Sequence, residues 1–246
     1  MLPNLRICTL LFTFCIQLLT MECKNCGHFG EGKFCPACGQ KLRIGRIKLS
    51  SVLHDVIHSY THFDKGFLYT LKQLAIHPGT LQKNYLSGHR IKNQQPFPMF
   101  IATGTICALA LYLIYKPTAD ANTEQYFYKH YYVLTQALLL PVYALSTWLL
   151  FINSKLNYAE ILVLILYMLG FMSFIIIPVN ALHFFLTAGT VTMIEAALLA
   201  VYNIWTYINF FTYGPTWLVA IKSFFCILLN YILFQIAGNM IIHWFM

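Results

Sequence analysis

The sequence predicts an all-α polytopic membrane protein with about five transmembrane helices and a small basic N-terminal head. Three observations carry this. Of 246 residues, 59% are hydrophobic and only 10% are charged. Soluble domains carry roughly 25% charged residues, so a soluble fold, a disordered chain and a small disulfide scaffold are excluded. From Phe97 onward the chain is a series of long apolar runs. Charge is also lopsided: residues 1–96 hold 12 Lys and Arg against 4 Asp and Glu, whereas residues 97–246 hold 4 of each.

The first element, residues 1–20, resembles a weak signal sequence, with Arg6 ahead of an apolar stretch from Ile7 to Leu19. That stretch is short for a spanning helix, and no A-x-A cleavage site follows. Cys8, Cys15 and Cys23 lack a lipobox. The expectation is that translation starts at Met21 and that 1–20 is a doubtful extension. A membrane segment here would reverse the location of the head.

The head follows, over residues 21–40. Cys23-Lys24-Asn25-Cys26-Gly27 and Cys35-Pro36-Ala37-Cys38-Gly39 are two C-x-x-C-G units with eight residues between Cys26 and Cys35. Two residues between cysteines allow a tight turn that aims both thiolates at one ion. The following glycine relieves the backbone where it curls under the sulfurs. Two such knuckles supply a tetrahedral four-thiolate set, which suits structural zinc. The expected ligands are Cys23, Cys26, Cys35 and Cys38, forming a zinc ribbon. A closed four-cysteine site has no open coordination position, so it is structural and not catalytic. A head this small has almost no core, so metal binding supplies its folding energy, on the order of 10 kcal/mol. Disulfides would need an oxidising compartment, a redox pair would need an α/β surround, and nothing favours iron. Cys107 and Cys226 sit in apolar runs and read as small buried hydrophobes.

Residues 41–96 join head to membrane. Lys41, Arg43, Arg46 and Lys48 form a basic tether. Cations beside a bilayer attract anionic lipid headgroups by about 1 kcal/mol each, and nucleic acid is the less economical partner. Ser50 or Ser51 caps an expected helix with Val52, Leu53, Val56, Ile57 and Tyr60 as its apolar stripe. His54, His58 and His62 share one face of it, near Asp55 and Asp64. They read as a polar helix face, with a second metal site as the rival. A second helix, Phe67–Ile76, places Phe67, Leu68, Leu71, Leu74 and Ala75 on its apolar side. His77-Pro78-Gly79 stops it, and a short helix Thr80–Leu86 ends at Ser87-Gly88. Short amphipathic helices of this kind are expected to lie in the membrane interface.

This block carries a resemblance. The order is a ribbon, then Phe63-Asp64-Lys65-Gly66-Phe67-Leu68-x-Thr70, Pro78-Gly79, Tyr85-Leu86-x-Gly88-x-Arg90 and Pro96. It resembles an uncharacterised bacterial family of multi-pass membrane proteins with a zinc ribbon and such a juxtamembrane block. The likeness covers about residues 21–98. It implies an architecture and no catalytic residues.

Five runs, 97–116, 131–151, 159–178, 190–211 and 217–237, meet the ~20-residue length that a ~30 Å hydrocarbon core requires. None shows the period-2 alternation of a barrel strand, and helices satisfy their own backbone in lipid. Tyr126, Tyr128, Tyr131, Tyr132, Trp148, Tyr213 and Trp217 are expected at the headgroup levels. Lys83, Arg90 and Lys92 precede the first span, while Lys116 and Lys129 weaken the contrast on its far side. The positive-inside rule then puts the head in the cytoplasm of a bacterium, with the spans in the inner membrane.

An ionisable residue at mid-bilayer costs roughly 2.5–3.5 kcal/mol on insertion scales, so Glu195 is a candidate functional group. Asn230, in the antiparallel fifth span, is expected near it. Lys222 lies closer to the inner face, where it can snorkel. Glu160 sits at a span edge and is expected to reach water. Asn180, His183, Asn203 and Gln235 add further polarity. Interhelical hydrogen bonding is the plain reading of this set. No phosphate loop, H-E-x-x-H or G-x-S-x-G occurs. The expected role is a non-catalytic adaptor or regulator that docks a cytoplasmic protein partner. Its rivals are a small-solute or proton-coupled transporter centred on Glu195 and a membrane-embedded lipid-modifying enzyme.

Overall fold

The computed structural model describes residues 21–50, 52, 66–115 and 129–245. The 1–20 segment, the stripe of His54, His58 and His62 with Asp55 and Asp64, and the loop with Lys116, Asp120, Glu124, Tyr126 and Tyr128 lie outside the described residues.

The chain is an α-helical multi-pass protein with a small sheet in its head. Strands β1 (Met21–Glu22) and β2 (Phe29–Gly30) pair antiparallel, with Met21 opposite Gly30. The helices are α1 (Phe67–Ile76), α2 (Thr80–Ser87), α3 (Pro96–Ile114), α4 (Tyr132–Leu150), α5 (Tyr158–Ala181), α6 (Ala188–Phe210) and α7 (Thr216–Phe245). Five of them, α3 to α7, are long and apolar enough to cross a membrane.

Helix α5 is the axis of the bundle and is buried along nearly its whole length. Asn157 starts it: its side chain accepts from the Glu160 amide at 2.8 Å, and the Glu160 carboxylate accepts from the Asn157 amide at 3.0 Å. This reciprocal cap satisfies two amides at the helix start that have no partner within the helix. The sequence places the end of this span at Pro178, yet α5 continues to Ala181. Proline removes one amide donor near a helix end, and Asn180 beyond it is held by side-chain bonds described below.

Helix α3 runs parallel to α5 but starts about ten residues deeper. Tyr167 donates its hydroxyl to the Gln94 carbonyl at 2.5 Å, Gly170 faces Phe100 and Thr103, and the Tyr115 hydroxyl reaches Asn180 at the far end. The first turns of α5 are therefore not covered by α3. Helices α1 and α2 also pack against α5. Tyr85 of α2 meets Tyr167 edge-on at 5.5 Å, and Tyr202 of α6 donates to the Leu74 carbonyl of α1 at 3.4 Å.

The two short helices are thus packed onto the bundle. The buried face of α1 is Phe67, Thr70, Leu71 and Leu74, an i, i+3, i+4, i+7 set. Leu68 and Ala75, expected on that side, are exposed. Thr70 takes the inner position because its hydroxyl accepts the buried Gln94 amide at 2.8 Å. Tyr132, expected at a headgroup level, is instead inside the bundle against Phe234, with ring centroids 5.7 Å apart.

Candidate metal centre

The head is built by two loops with the same hydrogen bonds. The Cys23 amide donates to the His28 carbonyl and the Gly27 amide to the Cys23 carbonyl, at 2.9 and 2.8 Å. The Cys35 amide donates to the Gln40 carbonyl and the Gly39 amide to the Cys35 carbonyl, at 2.7 and 2.8 Å. Gly27 and Gly39 close the knuckles at φ +73° and +75°, in the left-handed region where a side chain would be strained. Leu42 packs on Cys23 and Cys35, and Phe34 bridges to Lys41, so the head extends to residue 42.

The four sulfurs of Cys23, Cys26, Cys35 and Cys38 lie within 4.8 Å of one another. Two of the pairs, Cys23–Cys38 and Cys26–Cys35, are separated by 3.6 Å. A tetrahedral ion with metal–sulfur bonds near 2.3 Å has sulfur–sulfur edges of about 3.8 Å, so the cradle fits such an ion. All four cysteines are free of disulfides. The amides of Asn25 and then Cys26 point at the Cys23 sulfur and hold its thiol down at about 7. The His28 amide pulls the Cys26 thiol in the same direction. Desolvation and the sulfurs of Cys35, Cys38 and Cys23 outweigh that pull and push it up to about 12. Four thiolates this close coexist only around a cation.

The head is fastened to the bundle by one residue the sequence reading missed. Gln40 is buried directly after the second knuckle. Its Nε2 donates to the Gly88 carbonyl at 2.7 Å, and its Oε1 accepts from the Arg90 amide at 3.2 Å. The clamp joins the ribbon to the loop after α2. No periodicity or spacing distinguishes Gln40 from any polar residue beyond a ribbon.

The tether is fastened too. Arg46 grips Glu160 with both Nε and Nη2, at 3.0 and 2.5 Å, and also donates to the Lys155 carbonyl at 3.0 Å. This raises the Arg46 guanidinium's proton affinity, through the hydrogen bond to Glu160 and then its charge. Glu160, expected to reach water, is buried, because its carboxylate serves both the helix cap and Arg46.

Inside the spans, Glu195 is buried about 10 Å from the start of α6. Its carboxylate accepts from Lys129 at 2.6 Å and from the Asn180 side chain at 3.1 Å. Asn180 in turn accepts from Tyr115 at 2.9 Å. Asn230 lies elsewhere: it accepts from Ser146 at 2.7 Å and reaches Cys226 through its Nδ2 at 3.7 Å. The expected Glu195–Asn230 approach is replaced because Lys129 enters the bundle at the start of α4 and offers a charged donor. Lys222 lies over the ring of Phe151, 5.9 Å from its centroid.

No curated protein and no solved structure matches the chain. Residues 64–107 match the profile of a family described as Protein of unknown function (DUF3667). The described part of this stretch is α1, α2 and more than half of α3, the segment that packs beside α5 and receives the Gln40 clamp.

Proposed function

We propose that this protein is a non-catalytic adaptor or regulator of a bacterial inner membrane. Its cytoplasmic ribbon carries one structural zinc ion and docks a protein partner. The carrying observation is the outer surface of the head. Phe29 and Phe34 are 62% and 55% exposed on a unit only about twenty residues long, while Cys23 and Cys35 are buried. Exposed aromatic side chains on a rigid, metal-braced head are the kind of anchor that protein interfaces use. Zinc is favoured by the four-thiolate donor set and by cradle edges of zinc–thiolate size.

The cytoplasmic side is supported by charge. The head and tether carry Lys24, Lys33, Lys41, Arg43, Arg46 and Lys48 against Glu22 and Glu31. On the opposite end Lys129 is neutralised by Glu195, which sharpens the asymmetry that sets topology. The tether cations Lys41 and Arg43, which make no ion pair among the described residues, are available to anionic lipid headgroups.

The test is photocrosslinking and pull-down from native membranes. A partner captured by the parent, and lost both in Phe29→Ser/Phe34→Ser and after zinc removal, supports docking. Capture that ignores both changes overturns it.

A transporter centred on Glu195 is the second reading, and one observation bears on it. The Lys129–Glu195 pair buries two opposite charges together with Asn180 and Tyr115. Solute or proton flux in proteoliposomes, abolished in Glu195→Gln, would favour transport over docking.

A further inference from the structure

The end of the bundle that carries the head also holds a cavity of about 180 Å³, bordered by the turn after α4, the end of α6 and the start of α7. Its floor is aromatic. Phe151 and Phe211 stack face to face, with centroids 3.9 Å apart and planes 3° from parallel, and both rings are buried. Its wall mixes polar Asn153, Ser154, Tyr213 and Lys222 with apolar Leu218 and Val219. The Lys222 ammonium sits over the Phe151 face, which stabilises the cation without using its hydrogen-bond donors.

The surroundings are cationic. Among the described residues the ion pairs are Arg46–Glu160 and Lys129–Glu195, so Lys222 has no carboxylate partner. Glu160, the acid of this end of the bundle, is already gripped by Arg46. Lys83 donates to Thr212, the residue between Phe211 and Tyr213, at 3.2 Å. Lys155 follows Ser154 directly. An anion entering the cavity therefore meets a lining with one cation, Lys222, and no acid.

The cavity also leads onto an apolar stripe. Leu218 lines it, and Leu218, Ile221 and Phe225 continue along one side of α7, exposed by 40%, 47% and 56%. In a membrane-spanning helix this stripe faces hydrocarbon. A cationic, hydroxyl-bearing cavity opening onto an acyl-facing stripe matches a molecule with an anionic head and an apolar tail.

We infer that this cavity binds the phosphate group of an anionic membrane lipid. Lys222 is the charged donor to a phosphate oxygen, Asn153 and Ser154 offer neutral polar groups beside it, and one acyl chain lies along Leu218, Ile221 and Phe225. The site is separate from the tether and from the metal head, and it stands whether or not the head docks a partner.

The test uses the full chain, purified and placed in nanodiscs with a photoactivatable phosphatidylglycerol or phosphatidylcholine, followed by mapping of the labelled peptides. The expected result is phosphatidylglycerol labelling at α7 near Leu218–Phe225 and little labelling by phosphatidylcholine. Lys222→Gln should lower it about tenfold, the worth of one charge-assisted hydrogen bond. Lys222→Arg, which keeps the charge, should stay within about threefold of the parent, and only variants that elute like the parent are compared. Excess inorganic phosphate should leave labelling intact, because it lacks the tail. Equal labelling by the two lipids, unchanged labelling in Lys222→Gln, or full displacement by inorganic phosphate would each overturn the assignment to an anionic lipid.

Discussion

The Lys129 ammonium lies 2.6 Å from the Glu195 carboxylate with both side chains almost fully buried, although 66 positions separate them in the chain. The ends of α3 and α5, the start of α4 and the second turn of α6 meet there through Tyr115, Asn180, Lys129 and Glu195. Removing one partner leaves a lone charge in a poorly solvating interior, and that is the costly event for a buried pair. Glu195→Leu alone should therefore destabilise the protein by about 3–5 kcal/mol, whereas Lys129→Met/Glu195→Leu should recover most of that loss. A thermal-unfolding double-mutant cycle in detergent measures it, and additive losses would show that the pair is not energetically linked.

Metal removal should act locally. The head's core is little more than Cys23, Cys35 and Leu42, so chelation should open residues 21–42 to protease while the spans stay intact. The parent should carry one zinc ion per chain by elemental analysis, and Cys35→Ser should carry none. A head equally protease-resistant with and without metal would contradict a structural role for the ion.

Two glycines share a left-handed backbone but differ in the space around them, and should respond differently. Gly79 turns the chain between α1 and α2 at φ +82°, and a Cβ there would stand 2.5 Å from the Thr206 carbonyl and 2.7 Å from the Phe210 amide. Neither backbone atom can move without shifting α6. Gly39 has φ +75° but nothing within 4 Å of its would-be Cβ. Gly39→Ala should cost only the left-handed conformation, about 1–2 kcal/mol, and leave the packing alone. Gly79→Ala should cost clearly more and loosen α1 and α2, read as faster amide exchange over 67–87.

The Arg46–Glu160 grip should behave as a local fastening. Arg46 is well exposed, so its removal should change global unfolding little. Arg46→Ala should instead speed amide exchange in residues 43–48, with α5 unaffected beyond its first turn. Equal protection of the tether in parent and variant would show that other contacts hold it.

The parts legible in sequence were those with a short-range signature. Two C-x-x-C-G units announce the sulfur cradle because ligand spacing and knuckle glycines are local. Five apolar runs announce the spans because length and hydropathy are local. What escaped was pairing at a distance. Lys129 reads as a loop cation until the fold carries it beside Glu195. Gln40 reads as an ordinary polar residue until Gly88 and Arg90 come to meet it. Leu68 is exposed and Thr70 is buried beside Phe67, Leu71 and Leu74, where its hydroxyl accepts the Gln94 amide.

The deep start of α3 has a consequence for how the chain is made. Residues 66–94 leave the ribosome well before α5 and α6, the surfaces on which they come to rest. The Leu74–Tyr202 bond spans 128 positions, and the Gln94–Tyr167 bond spans 73. This segment therefore lacks its resting surfaces on α5 and α6 until more than half of the protein has been synthesised, and it docks late in assembly together with the four-cysteine head.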